Sequence, residues 1–312
     1  MPRLIALALL LSLTFAARAD DIALLSSDTI LCIGAPQPLP PLMVRWAGRP
    51  VSAGIVFQPS IFWGSIGEGP DGELLAARDG ANRGVSRFEK DGSFTRLFDL
   101  PSGFTPSEVL SRRDGEILVF GNGRIFRRAP NGAVTVDVMN GGDAYDADLD
   151  ETGCMLAQVG LTGIERYDLC TAGSHWQTWH ALPNVRHVRY APNGRLLVAT
   201  YERIQLLDRA TGTVLRDFPS PTQPFLVELS PSGRRVWVAP ASSGCGGSFD
   251  NTLREYDLET GALVSELAYT TGPPIRSDLA NSMAVRDGWR AALSENGAPG
   301  EEPLPGRRRA LR

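Results

Sequence analysis

Six polar residues have the spacing of a strand face that could do chemistry. Asp146 and Asp148 lie two apart, as do His187 and Arg189. Residues two apart on a β-strand point to the same side of its sheet. Glu108 and Glu228 hold matching places elsewhere in the chain, by the alignment set out below. Carboxylates, an imidazole and a guanidinium on one wall could take a polar ligand or a metal ion. The other two histidines, His175 and His180, stand five apart on a strand-like segment. Their side chains leave opposite faces, so they cannot grip one metal ion together. Neither a phosphate-cradling glycine loop nor a G-x-S-x-G nucleophile elbow is read. No catalytic residue, metal or cofactor is assigned.

The elements that would position these residues come from an internal repeat. Short turns precede strand-like runs at Asp71-Gly72, Asp114-Gly115, Thr152-Gly153, Asn193-Gly194, Ser232-Gly233 and Asp287-Gly288. A second series runs in phase: Asp91-Gly92, Asn131-Gly132, Ala172-Gly173, Thr211-Gly212 and Thr260-Gly261. Both recur at roughly 40-residue intervals, the period of a propeller blade. Asn122-Gly123 between Val119-Phe120 and Ile125-Phe126 is a hairpin turn, since both turn positions must tolerate positive φ. The expected fold is all-β: a single β-propeller of six blades, with seven as the alternative, and four antiparallel strands per blade. The sixth blade would be completed by strands from residues 22–57, which then pair with a strand after Asp287-Gly288.

Aligned on the turn glycine, the innermost strands place Ile66, Val109, Ala147, Val188 and Val227 at one position. These apolar residues should pack between blades. The flanking positions hold Glu108, Asp146 and His187 on one side, and Asp148, Arg189 and Glu228 on the other. Strand alternation turns all six toward the central channel, as candidate ligand-binding residues. A water-filled channel is polar in any propeller, so polarity alone does not make them a site.

The run Leu197-Val198-Ala199-Thr200, Ile204 to Asp208, Thr211-Gly212, Leu229-Ser230-Pro231-Ser232-Gly233 and Val236-Trp237-Val238 resembles the YVTN and WD-like repeats of bacterial propellers. The resemblance covers 185–268 well and 64–180 more loosely. It implies the fold, which hosts many unrelated activities. Gly67-Glu68-Gly69-Pro70 is similar to the Glu-Gly-Pro signature of gluconolactonase-type metal-dependent lactonases, where the Glu is a metal ligand. There the Glu opens the innermost strand. Here Glu68 lies four residues before Gly72 and is expected in the turn, and the matching Asn would fall near Phe225. A complete ligand set is not read.

Residues 1–19 read as a signal peptide: Arg3, an apolar run from Leu4 to Phe15, and Ala17-Arg18-Ala19 before Asp20. The run is too short to span a bilayer. A periplasmic or secreted propeller over 20–296 is expected, followed by a disordered tail over 297–312. The net charge of −4 gives no electrostatic footprint for nucleic acid. The four cysteines, Cys32, Cys154, Cys170 and Cys245, suit an oxidising compartment. Cys154 opens the strand Met155 to Val159, and Cys170 closes the strand Ile164 to Leu169. A three-residue turn centred on Thr162 makes them direct cross-strand neighbours and disulfide partners. A two-residue turn would instead set Leu169 opposite Cys154. Cys32 and Cys245 are left undecided. The link from Ala239 to Thr252 is far longer than its repeat counterparts and is a candidate binding loop through Ser243, Phe249, Asp250 and Asn251. The function read from all this is an exported binding or scaffold protein whose partner or small-molecule ligand is unknown. The alternative is a metal-dependent hydrolase, lactonase or lyase with its site at the channel mouth.

Overall fold

The computed structural model describes residues 21–28, 37–38, 42–46, 49–56, 63–70, 73–78, 83–88, 94–138, 146–160, 162–172, 177–200, 202–219, 224–230, 232–240, 252–268 and 279–286. The expected leader and tail, His175, Cys32, Cys245 and the turns at 71–72, 91–92 and 287–288 lie outside them. So do Ser243, Phe249, Asp250 and Asn251.

Near the N-terminus are β1 (Asp21–Asp28), β2 (Gln37–Pro38), β3 (Leu42–Trp46) and β4 (Arg49–Val56). Blade 1 follows as β5 (Trp63–Glu68), β6 (Leu74–Arg78), β7 (Gly84–Phe88) and β8 (Phe94–Asp99). Blade 2 is β9 (Glu108–Ser111), β10 (Ile117–Gly121), β11 (Arg124–Arg128) and β12 (Val134–Val138). Blade 3 is β13 (Ala147–Leu149), β14 (Met155–Gly160), β15 (Gly163–Asp168) and β16 (Gln177–His180). Blade 4 is β17 (Val185–Ala191), β18 (Arg195–Thr200), β19 (Ile204–Asp208) and β20 (Val214–Phe218). Blade 5 is β21 (Pro224–Leu229), β22 (Arg235–Pro240), β23 (Thr252–Asp257) and β24 (Leu263–Ala268). The last strand is β25 (Leu279–Arg286).

The protein is an all-β propeller whose blades are antiparallel meanders of four strands. Five such blades form, rather than six or seven. The difference comes from the chain ends. β1 pairs on one side with β25 and on the other with β2 and β3, and β3 pairs with β4, making a five-stranded terminal sheet. β25 precedes Asp287-Gly288 instead of following it. In the ring of innermost strands it lies between β21 and β5.

Sequence alternation explains the packing. Ile66, Val109, Ala147, Val188 and Val227 are all buried at the blade seams. Between blades 4 and 5, Leu197, Ala199, Leu206 and Phe218 meet Val227, Val236, Val238 and Tyr256. Between blades 3 and 4, Ala157, Val159 and Ile164 meet Val185, Val188 and Leu196. The innermost strands approach closely: a Cβ on Gly67 would lie 2.1 Å from the Val109 carbonyl oxygen. The Asn122-Gly123 hairpin has φ of 50° and 66° at its two turn residues, as its residue types require.

Outer turns are closed by aspartate. The Asp208 Oδ1 accepts from the backbone N–H of Ala210 and Thr211 and from the Thr211 hydroxyl. Asp257 does the same with Glu259 and Thr260. Asx closure of this kind satisfies turn donors that strands cannot reach.

Cys154 and Cys170 are joined by a disulfide with a Cα–Cα distance of 5.3 Å. The hairpin register is the two-residue one. Gly160 pairs with Gly163 and Met155 with Asp168, which sets Leu169 opposite Cys154; the Leu169 N–H donates to the Cys154 carbonyl at 2.8 Å. Direct opposition of the cysteines was the wrong expectation. Both glycines belong to strands, which leaves two positions between them instead of three. Cys170 still reaches its partner because the chain bends at Asp168, whose Oδ1 accepts the Cys170 N–H at 2.9 Å. Replacing Cys154 with serine should lower unfolding stability by about 3 kcal/mol in the chain-entropy picture. Urea unfolding with and without reductant measures it; equal stability of the two proteins under oxidising conditions refutes the estimate.

Candidate functional site

The chain folds so that blades 3, 4 and 5 bring their innermost polar residues together. Asp146 directly precedes β13, His187 and Arg189 sit on β17, and Glu228 sits on β21. Arg189 is the hub. Its Nη1 donates to Asp146 Oδ2 at 2.5 Å and to the Val188 carbonyl at 2.8 Å. Its Nε and Nη2 both reach Glu228 Oε1 at 2.5 Å. One guanidinium thus ties three consecutive blades. Asp146 Oδ2 also accepts the Val188 N–H at 2.8 Å, and its Oδ1 stands 3.3 Å from His187 Nδ1. Asp148 accepts the N–H of Leu149 at 2.8 Å and of Tyr190 at 2.7 Å. Glu108, on blade 2, adds its field to Arg189.

These groups are largely out of water. Glu108, Asp146, His187 and Arg189 are 6%, 1%, 5% and 8% exposed, and the Glu228 side chain is 18% exposed. Asp146, His187, Arg189 and Glu228 are joined directly, while Asp148 and Glu108 act on Arg189 through their charge. Burial works against ionisation of Asp146, but Arg189 and His187 outweigh it and hold its pKa below the ordinary carboxylate value. Burial pushes Asp148 up to about 6 against the pull of Arg189. Glu228 is pushed up to about 7, again by burial, with Asp148 and Asp146 adding repulsion. Burial disfavours the Arg189 cation, yet Asp146, Glu228, Asp148 and Glu108 hold its pKa well above the usual guanidinium value. The arrangement is a charge cluster centred on Arg189. Among the described residues no three His, Cys, Asp or Glu side chains are grouped so as to hold a metal ion.

Glu68 is the last residue of β5 and pairs with Leu74, so it belongs to the strand end rather than to the turn. It is exposed, and its carbonyl accepts from the Ser111 hydroxyl at 2.6 Å. His180 is on β16, the outermost strand of blade 3, where Nε2 lies 3.0 Å from the Arg209 carbonyl. That contact joins two blades.

The sequence reading missed one polar pair. Gln158 and Glu165 are cross-strand partners on blade 3, and Nε2 donates to Glu165 Oε2 at 2.7 Å. Gln158 sits inside the apolar run of β14, and that interruption was the available signal. The candidate binding loop, Ala239 to Thr252, joins β22 to β23, and its residues 241–251 lie outside the described residues.

Fold comparison agrees with the topology. A chain from a nidogen/laminin complex superposes with a TM-score of 0.60 at 12% identity, covering 86% of this chain and 98% of that one. A gluconolactonase from Xanthomonas campestris gives a TM-score of 0.55 at 15% identity, covering 65% and 76%. A chain of the mitotic checkpoint complex gives 0.50 at 14% identity, covering 65% and 62%. Likeness at this identity defines the class, a β-propeller, and nothing finer. No protein-family model and no curated protein sequence matches the chain.

Proposed function

We propose that this chain is an exported β-propeller that acts as a binding or scaffold protein. In this reading the terminal sheet closes the ring between blades 5 and 1, where β25 lies against β21 and β5. The observation that carries the binding role is the Asp146–Arg189–Glu228 chain. It spends the charged groups of the inner wall on one another, which suits a rigid frame better than a reacting centre. Recognition then falls to loops on the frame, and the link Ala239 to Thr252 is far longer in sequence than its repeat counterparts. The propeller found in a complex of nidogen with laminin supports a protein partner.

The test starts with pull-down from a cell-envelope fraction. Protein in which 241–251 is cut to two residues should keep its fold by circular dichroism and lose the captured partner. Capture unchanged by the deletion defeats the loop assignment. The recovered native protein should begin near Asp20 by mass spectrometry.

The gluconolactonase likeness favours a second reading, a metal-dependent lactonase at the channel mouth. Stoichiometric divalent metal in the purified protein, together with hydrolysis of an aldonolactone, would establish it in place of the first.

A further inference from the structure

The cluster around Arg189 has more acid than base. Four carboxylates, Glu108, Asp146, Asp148 and Glu228, share one guanidinium and the imidazole of His187. Arg189 commits its hydrogen bonds to Asp146 and Glu228. Asp148 is satisfied by two backbone N–H groups and by no cationic side chain in hydrogen-bond contact. β25, the other innermost strand beside β21, carries one ionisable residue, Arg286, at its far end. β5 and β9 carry only Glu68 and Glu108 as ionisable groups, and β17 carries one more cation, Arg186. Several anions buried at this spacing in a low dielectric cannot all ionise together.

We propose that the Glu108–Asp146–Asp148–His187–Arg189–Glu228 cluster is a proton-operated lock on the seams between blades 3, 4 and 5. Closed, it retains protons on Asp148 and Glu228 and leaves Asp146 and Arg189 as the ionised pair. As pH rises those protons leave, and unbalanced carboxylates then push β13, β17 and β21 apart. The raised values of Asp148, about 6, and Glu228, about 7, agree with this. The sign is fixed by linkage. The folded chain binds protons that the unfolded chain has already released above about pH 4, so stability falls as pH climbs from there to about 7. Asp146 works the other way, but only below its own ordinary range. The inference concerns the frame and does not depend on what the propeller binds.

The experiment is thermal unfolding of the full chain across about pH 5 to pH 8, for wild type and for D148N/E228Q. Wild type should melt at progressively lower temperature as pH rises, and the double variant should lose most of that slope. A flat wild-type profile overturns the proposal, and so does a slope that survives in the variant. Should the variant fold poorly, infrared difference spectra of the wild type decide. The carbonyl stretch of a protonated carboxylic acid should be present at about pH 6 and gone at about pH 8. Its absence at about pH 6 overturns the lock.

Discussion

Arg189→Met is expected to destabilise the protein by about 3–5 kcal/mol, the cost of stranding buried charge by removing one partner. Arg189 is 8% exposed and bridges Asp146 and Glu228. Methionine fills much of the same volume, so the loss is electrostatic more than steric. It should be smaller near pH 5 than near pH 8, because protonation of the orphaned carboxylates relieves part of it. Arg195→Met is the control. Arg195 also bridges blades 4 and 5, but its partner Glu259 is 64% exposed, and such pairs are worth about 0–1 kcal/mol. Urea unfolding of both variants at the two pH values gives the comparison. A loss for Arg189→Met no larger than that of the control would show that the cluster contributes little.

Trp237→Ala should cost about 3–5 kcal/mol. Trp237 is 0% exposed and lies in the middle of β22, opposite Glu228 and Glu255. Its neighbours Val236 and Val238 face blade 4, so alternation sends the indole to the other side of blade 5, toward the terminal sheet. Full burial there requires that side to be covered. A measured loss below about 1 kcal/mol would mean that the indole is not packed as described. Trp237→Phe, which leaves a smaller cavity, should fall between wild type and alanine.

Much of the fold is local and was therefore readable in the sequence. Turn glycines such as Gly115, Gly153, Gly194 and Gly233 mark the link between the first two strands of a blade, because these short links need positive φ. The residues aligned with Val188 read as seam packing because alternation has a period of two. The blade count was harder, because β1 and β25 meet across nearly the whole chain and no local pattern announces that pairing. The hairpin register was also hidden: Gly160 and Gly163 suit a turn as well as a strand, and the cysteines bond under the register that does not oppose them. At the candidate site, residue spacing put Asp146, His187, Arg189 and Glu228 on or beside the innermost strands of neighbouring blades, where their side chains meet. It could not show that they bond to one another, because that depends on how far one blade is rotated against the next.

The pairing of Asp21 with Arg286 and of Ser27 with Leu279 has a kinetic consequence. Within each blade, every strand pairs with a neighbour reached through a single link, so those sheets can form as the chain becomes available. The β1–β25 ladder must instead close a loop of nearly the entire molecule, and contacts between distant residues are the slow ones. Until β25 arrives, β1 presents an open edge, the state in which chains associate wrongly. Moving the termini to a link between two blades would make that last ladder a local hairpin. Such a circular permutant should reach the same native state by a faster final phase.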